Sequence, residues 1–205
     1  ASTTYHYRVK AVSTGGTAYG EDNAFTTNSS SLTVTDFDGN VYNTIQIGSQ
    51  IWMAENLKTT HYADGSQLVD GTSAGDVTND YTTKYQFVYD DLESNAVTYG
   101  RLYTWAAVMN GASSSTSNPS GVQGVCPTGW HVPSISEWTE LIDYLGGESV
   151  AGGKMKETGT LHWNSPNTGA TNESGFTGLP GGYRYYIMGS SFWEAGNVAY
   201  FWTST

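Results

Sequence analysis

Gly124-Val125-Cys126-Pro127-Thr128-Gly129-Trp130-His131-Val132-Pro133 runs directly into Ser134-Ile135-Ser136-Glu137-Trp138-Thr139-Glu140-Leu141-Ile142-Asp143-Tyr144-Leu145-Gly146-Gly147, and the join decides how the chain is built. The second half spells a helix with both ends marked. Ser134 is placed to accept from the N–H of Glu137 while Glu137 reaches back to the N–H of Ser134, a capping box. Ile135, Trp138, Leu141, Ile142 and Leu145 recur at helical spacing and predict one apolar face. Gly146 stands where a left-handed C-terminal residue is wanted. The first half, bracketed by Pro127 and Pro133, is held out of helical geometry. It carries the only cysteine of the chain, Cys126.

Outward from this stretch the chain reads as many short strands and long loops. Leu32 to Phe37 and Val41 to Ile47 alternate around Asp38-Gly39-Asn40, a strong hairpin signal. Asp36, Asp38 and Asn40 also open like a calcium loop, but the twelfth position is Ile47 rather than Glu, so the EF-hand reading fails. Ile51 to Leu57 turns Trp52 and Met53 toward the core. Residues 59–98 predict surface loops with one aromatic strand through Tyr85, Phe87 and Tyr89. Asp90, Asp91 and Glu93 there form an acidic cluster, read as a solvated loop beside the alternative of a cation site. Leu102, Trp105, Ala106 and Met109 mark a short helix ending at Asn110-Gly111. Ser113 to Gly121 is a low-complexity loop. A Gly-rich turn follows the capped helix, and the last strands are Tyr185 to Met188 and Val198 to Trp202. Two helices among these strands predict an α+β domain over 32–205.

Residues 1–27 read as part of a different module, joined by a polar linker at 28–31. Tyr5, Tyr7 and Val9 share one strand face, a Gly-containing turn follows, and Ala18 to Thr27 returns. This Tyr-x-Tyr-x-Val ribbon is similar to the last two strands of a fibronectin type III module. Two strands alone bury too little to stand unaided.

The motifs of 32–205 resemble a known family in their order. Cys126-Pro127-Thr128-Gly129-Trp130-His131-Val132-Pro133, Glu137-Trp138, Leu179-Pro180-Gly181-Gly182-Tyr183-Arg184 and Phe201-Trp202-Thr203-Ser204-Thr205 resemble the Fibrobacter succinogenes major paralogous domain. So do Asp38-Gly39-Asn40-Val41-Tyr42, Ile51-Trp52-Met53-Ala54-Glu55-Asn56-Leu57-Lys58 and Tyr99-Gly100-Arg101-Leu102-Tyr103-Thr104-Trp105. The resemblance implies a C-type-lectin-like fold and a secreted or cell-surface bacterial protein, with no settled biochemical role. It also implies a last strand with a partner cysteine after Trp202-Thr203-Ser204, so 32–205 reads as a domain lacking that strand. Cys126 is then either a small buried apolar residue or a thiol paired outside this chain.

Bulk chemistry narrows the partners. Eight basic against 19 acidic residues give a net charge of −11, which argues against nucleic acid and anionic membranes. No apolar run reaches the length of a membrane span, and with no leader-like opening the chain reads as a mature or excised product. One cysteine excludes an internal disulfide framework and Cys-rich zinc sites. The histidines, His6, His61, His131 and His162, show no metal-ligand spacing, so no metal and no cofactor is expected. A Cys126–His131 dyad lacks a helix N-terminus to lower the thiol pKa, and His131 reads as bonded to a backbone carbonyl. Formylglycine-generating enzymes share a related lectin-like fold but use two active-site cysteines. The expectation is therefore a non-enzyme, with a hydrolase as the remote alternative.

Two readings lead. In the first, the chain is a structural subunit of a fibre or pilus-like filament, self-associating into a homopolymer by donor-strand complementation; Tyr5, Tyr7, Val9, Tyr200 and Trp202 are its assembly residues. In the second, it is an adhesin or lectin-like module binding a glycan or a surface protein through Trp163, Tyr185, Tyr186 and Trp193, each of which also reads as core. Asn28 and Asn172 match the N-glycosylation acceptor pattern.

Overall fold

The computed structural model describes residues 3–27, 32–187 and 190–205, which fall into two units, Ala1–Leu32 and Thr33–Thr205. In the first, β1 (Thr3–Tyr7) and β2 (Lys10–Ser13) run out and β3 (Gly16–Tyr19) and β4 (Asn23–Thr27) return. β1 pairs with β4 and β2 with β3, both antiparallel. The register steps by one residue between the two ladders, where Gly20 N–H donates to Val9 C=O at 2.9 Å. The strict alternation expected from Tyr5 through Val9 is interrupted there. Arg8 lies 4.1 Å from the Tyr19 ring centroid, and every residue from Thr4 to Ala24 is exposed.

The second unit is α+β. Asp38-Gly39 joins β5 (Thr33–Thr35) to β6 (Val41–Ile47), and Gly48-Ser49 joins β6 to β7 (Gln50–Met53), giving an antiparallel sheet of order β5-β6-β7. A second sheet has the order β10-β9-β8, with β8 (Val69–Asp70) parallel and β10 (Leu102–Tyr103) antiparallel to β9 (Tyr85–Phe87). β11 (Tyr183–Ile187) and β12 (Ser190–Trp193) form a hairpin. Both calcium-like aspartates are engaged within the fold. Asp36 accepts from Asn40 and from the buried Tyr42 hydroxyl, and Asp38 accepts from Thr59, Thr60 and His61. Burial alone would raise the Asp38 carboxyl, yet these donors outweigh it and hold its pKa below the ordinary value.

Among the described residues there are four α-helices, α1 (Glu93–Tyr99), α2 (Trp105–Met109), α3 (Ile135–Tyr144) and α4 (Glu148–Met155), where the sequence predicts two. α2 ends on Asn110 in the left-handed conformation at φ 50°, at the expected Asn-Gly. α3 has its capping box formed in both directions. Leu141 and Leu145 join Ile47, Ala151 and Phe176 in the core against Trp52 and Trp138, but Ile135, expected on that face, is half exposed.

α4 replaces the expected Gly-rich turn. Gly152 and Gly153 weaken a helix by about 1 kcal/mol each relative to Ala, and the buried Ala151, with Met155 packed on the core, offsets this. The two glycines are not equivalent. A Cβ on Gly152 meets nothing within 4 Å, whereas one on Gly153 would lie 2.2 Å from the Gly169 carbonyl oxygen. Gly152→Ala is therefore expected to stabilise by roughly 0.5–1 kcal/mol. Gly153→Ala should destabilise despite the same gain in propensity. Urea denaturation of the two variants side by side reads this opposition of sign.

Candidate functional site

An apolar groove of about 660 Å³ opens in the second unit. Its walls come from β7 and the residues after it, from β10 with the start of α2, from Trp130 to Pro133, from Glu137 and Trp138 on α3, and from Ala199 to Trp202. Trp52 and Trp138 meet with ring centroids 4.7 Å apart, and Phe201 stands edge-on to Phe176 at 5.5 Å. Trp105 and Trp202 pack at 5.6 Å, with Trp202 Nε1 donating to the Tyr103 carbonyl at 2.9 Å. The Trp138 indole N–H is buried with no acceptor among the described residues.

Two strand edges border this groove. β7 is the outer strand of its sheet. Ala54 N–H donates to Asn43 C=O, and Ile45 faces Trp52 in the same register. In an antiparallel ladder this alternation turns the main-chain groups of Ile51 and Met53 away from β6. β10 is likewise outermost. Thr104 N–H bonds Tyr85 C=O, so Tyr103 directs its main chain outward, where among the described residues its carbonyl is met by Trp202. Arg101 N–H donates to Leu57 C=O at 2.9 Å and ties the two edge segments together. Ile51 is 49% exposed. The site therefore offers backbone donors and acceptors beside aromatic walls, which is the chemistry of an extended polypeptide.

Cys126 packs against Val108, Met109, Val122 and Val132, and desolvation pushes its thiol up to about 12, so the thiolate is scarce at neutral pH. His131 is not bonded to a backbone carbonyl, as the sequence reading expects. Its Nε2 pairs with Glu137 Oε1 at 2.7 Å, because the capping carboxylate is turned toward it. Glu137 also accepts from the N–H groups of Ser134 and Ser120. Burial raises its pKa, and these bonds, with the His131 charge, lower it below the ordinary value on balance.

The expected site residues scatter. Tyr200 is exposed and Trp202 half exposed, and both line the groove. Trp163 is 8% exposed, its indole N–H given to Gly178 and its ring covered by Lys156 at 4.9 Å. Little of its ring is therefore open to solvent. Tyr185 is 49% exposed, and its carbonyl accepts from Trp193 Nε1. Tyr5, Tyr7 and Val9 are exposed on the first unit. The Asn172 amide donates to Thr177 Oγ1 and is engaged within the fold. Asn28 and the side chain of Tyr186 lie outside the described residues. The groove residues missed in the sequence are Ile51, Met53 and Tyr103. Strand alternation at 51–53 was the available signal, but it does not say which edge stays open.

The family described as the Fibrobacter succinogenes major domain matches residues 45–205. That span takes in every wall of the groove, from β7 to Trp202. No curated protein and no solved structure matches the chain. By this match over most of its length, the chain belongs to the Fibrobacter succinogenes major domain family.

Proposed function

We propose that the chain is a non-catalytic bacterial surface module whose second unit has a C-type-lectin-like fold, and that it serves as a structural subunit of a fibre or pilus-like filament joined by strand addition between copies. The observation that carries this reading is the pair of open strand edges beside one aromatic groove. An incoming strand satisfies the outward main-chain groups of Ile51, Met53 and Tyr103 and covers Tyr200, Phe201 and Trp202. The raised pKa of the Cys126 thiol and the engagement of His131 with Glu137 support a binding role over a hydrolytic one. No helix among the described residues is long and apolar enough to cross a membrane.

A second reading, an adhesin or lectin-like module, draws on the exposed rings of Tyr185, Tyr200 and Trp202, since aromatic faces stack on sugars and grip protein surfaces. Negative-stain electron microscopy and light scattering of the purified full chain separate the two. Concentration-dependent polymers are the expected result. A monodisperse monomer that is retained on a glycan array would replace the fibre reading with the adhesin one.

A further inference from the structure

We infer that Trp202 is a latch on the β10 edge, keeping that edge shut against strand addition until its indole is displaced. This rests on the strand-addition reading and supplies its regulation. In the antiparallel ladder with β9, Leu102 faces Phe87 and Tyr103 faces Gln86. With Thr104 N–H given to Tyr85 C=O at 3.1 Å, this alternation turns the main-chain groups of Arg101 and Tyr103 outward. The two positions are covered differently. At Arg101 the cover is main chain, its N–H donating to Leu57 C=O. At Tyr103 it is a side chain, with Trp202 Nε1 donating to the carbonyl at 2.9 Å and the indole packed on Trp105.

A main-chain cover opens only if a whole segment shifts, whereas an indole can leave by turning about its own side-chain torsions. Trp202 is half exposed, and the segment that carries it is fixed on both sides. Gly182 N–H donates to Val198 C=O, and Ser204 is bonded to Pro133 and Ser115. Phe201 packs elsewhere, on Trp138 and Phe176. Release of Trp202 therefore leaves the groove wall standing and bares the outward main chain of Tyr103 beside the Trp105 ring. An extended strand that donates an N–H to the Tyr103 carbonyl and lays a side chain on Trp105 replaces both contacts of the indole. Before that exchange the latch blunts an edge that would otherwise pair without selection.

The test uses the full chain with Trp202→Ala, with Trp202→Phe and, as a control for lost stability alone, with Tyr42→Phe. Phenylalanine keeps a ring for Trp105 but has no N–H for the Tyr103 carbonyl. Hydrogen exchange of the dilute proteins, read by mass spectrometry, is expected to quicken several-fold across 102–104 in both Trp202 variants and to stay unchanged across α3. Light scattering at rising concentration should show Trp202→Ala assembling several-fold faster than the unsubstituted chain, and Tyr42→Phe no faster. Unchanged exchange across 102–104 would overturn the latch. Assembly of Tyr42→Phe as fast as that of Trp202→Ala would also overturn it, by making the gain a consequence of instability. Quickened exchange with no assembly of any chain would keep the cover on Tyr103 but remove the strand-addition reading, and with it the latch's role.

Discussion

Glu137→Ala should cost about 3 kcal/mol of stability, lowering the denaturation midpoint by roughly 6–12 °C for a unit of this size. Glu137 is 6% exposed, and its carboxylate accepts from Ser134 N–H at 2.9 Å, Ser120 N–H at 3.1 Å and His131 Nε2 at 2.7 Å. Alanine keeps the helix but strands two buried N–H groups and an imidazole in one place. Glu137→Gln is the informative companion. Its amide oxygen can still accept from the two backbone donors while its amide nitrogen takes the place of the oxygen beside His131 Nε2, so the expected loss is only about 1 kcal/mol. The folded-state pKa of Glu137 is depressed. Its contribution is therefore complete above the unfolded-state value and is lost as pH falls through the folded one. Urea midpoints measured from neutral pH into acid should converge between wild type and Glu137→Ala. Equal stability of the two at neutral pH would refute the role of this carboxylate.

Tyr42→Phe is expected to cost about 2–3 kcal/mol although it changes one atom. Tyr42 is 0% exposed. Its hydroxyl donates to Asp36 Oδ2 at 2.5 Å and accepts from Lys58 N–H at 2.9 Å. Burial first, and then the bond to Asp36, push the phenol well above its ordinary pKa, so it stays a donor throughout the usable pH range. Without it, the buried Asp36 loses a donor and Lys58 N–H has no acceptor. The substitution is nearly isosteric, so the loss should appear as a shifted urea midpoint at unchanged slope. A cost under about 0.5 kcal/mol would mean that water reaches both groups after all.

The legible parts of the sequence were those written over short spans. The Ser134–Glu137 box, the Asp38-Gly39 turn and the Asn110 stop each depend on residues within a few positions of one another, and each is formed. The same carboxylate also gathers Ser120, 17 residues away, and no periodicity announces such a contact. α4 was hidden because Gly153 is set by the approach of Gly169 rather than by local propensity. α1 was hidden inside a stretch of Asp, Thr and Gly that reads as loop, where Ala96 is its only buried residue. The groove draws on segments from β7 to Trp202, and of its aromatics only Tyr200 and Trp202 were singled out in the sequence as meeting a partner. Hydrophobicity reports that a ring avoids water, not whether its own chain finishes covering it.

Arg184 donates to the carbonyls of Ala74 and Gly75 across 110 and 109 positions. Ser204, fully buried, is bound through its N–H to Pro133 C=O and through its hydroxyl to Ser115 C=O. Fastenings that span so many positions close only once the intervening chain has been gathered in, which raises the contact order and predicts slow folding of the second unit.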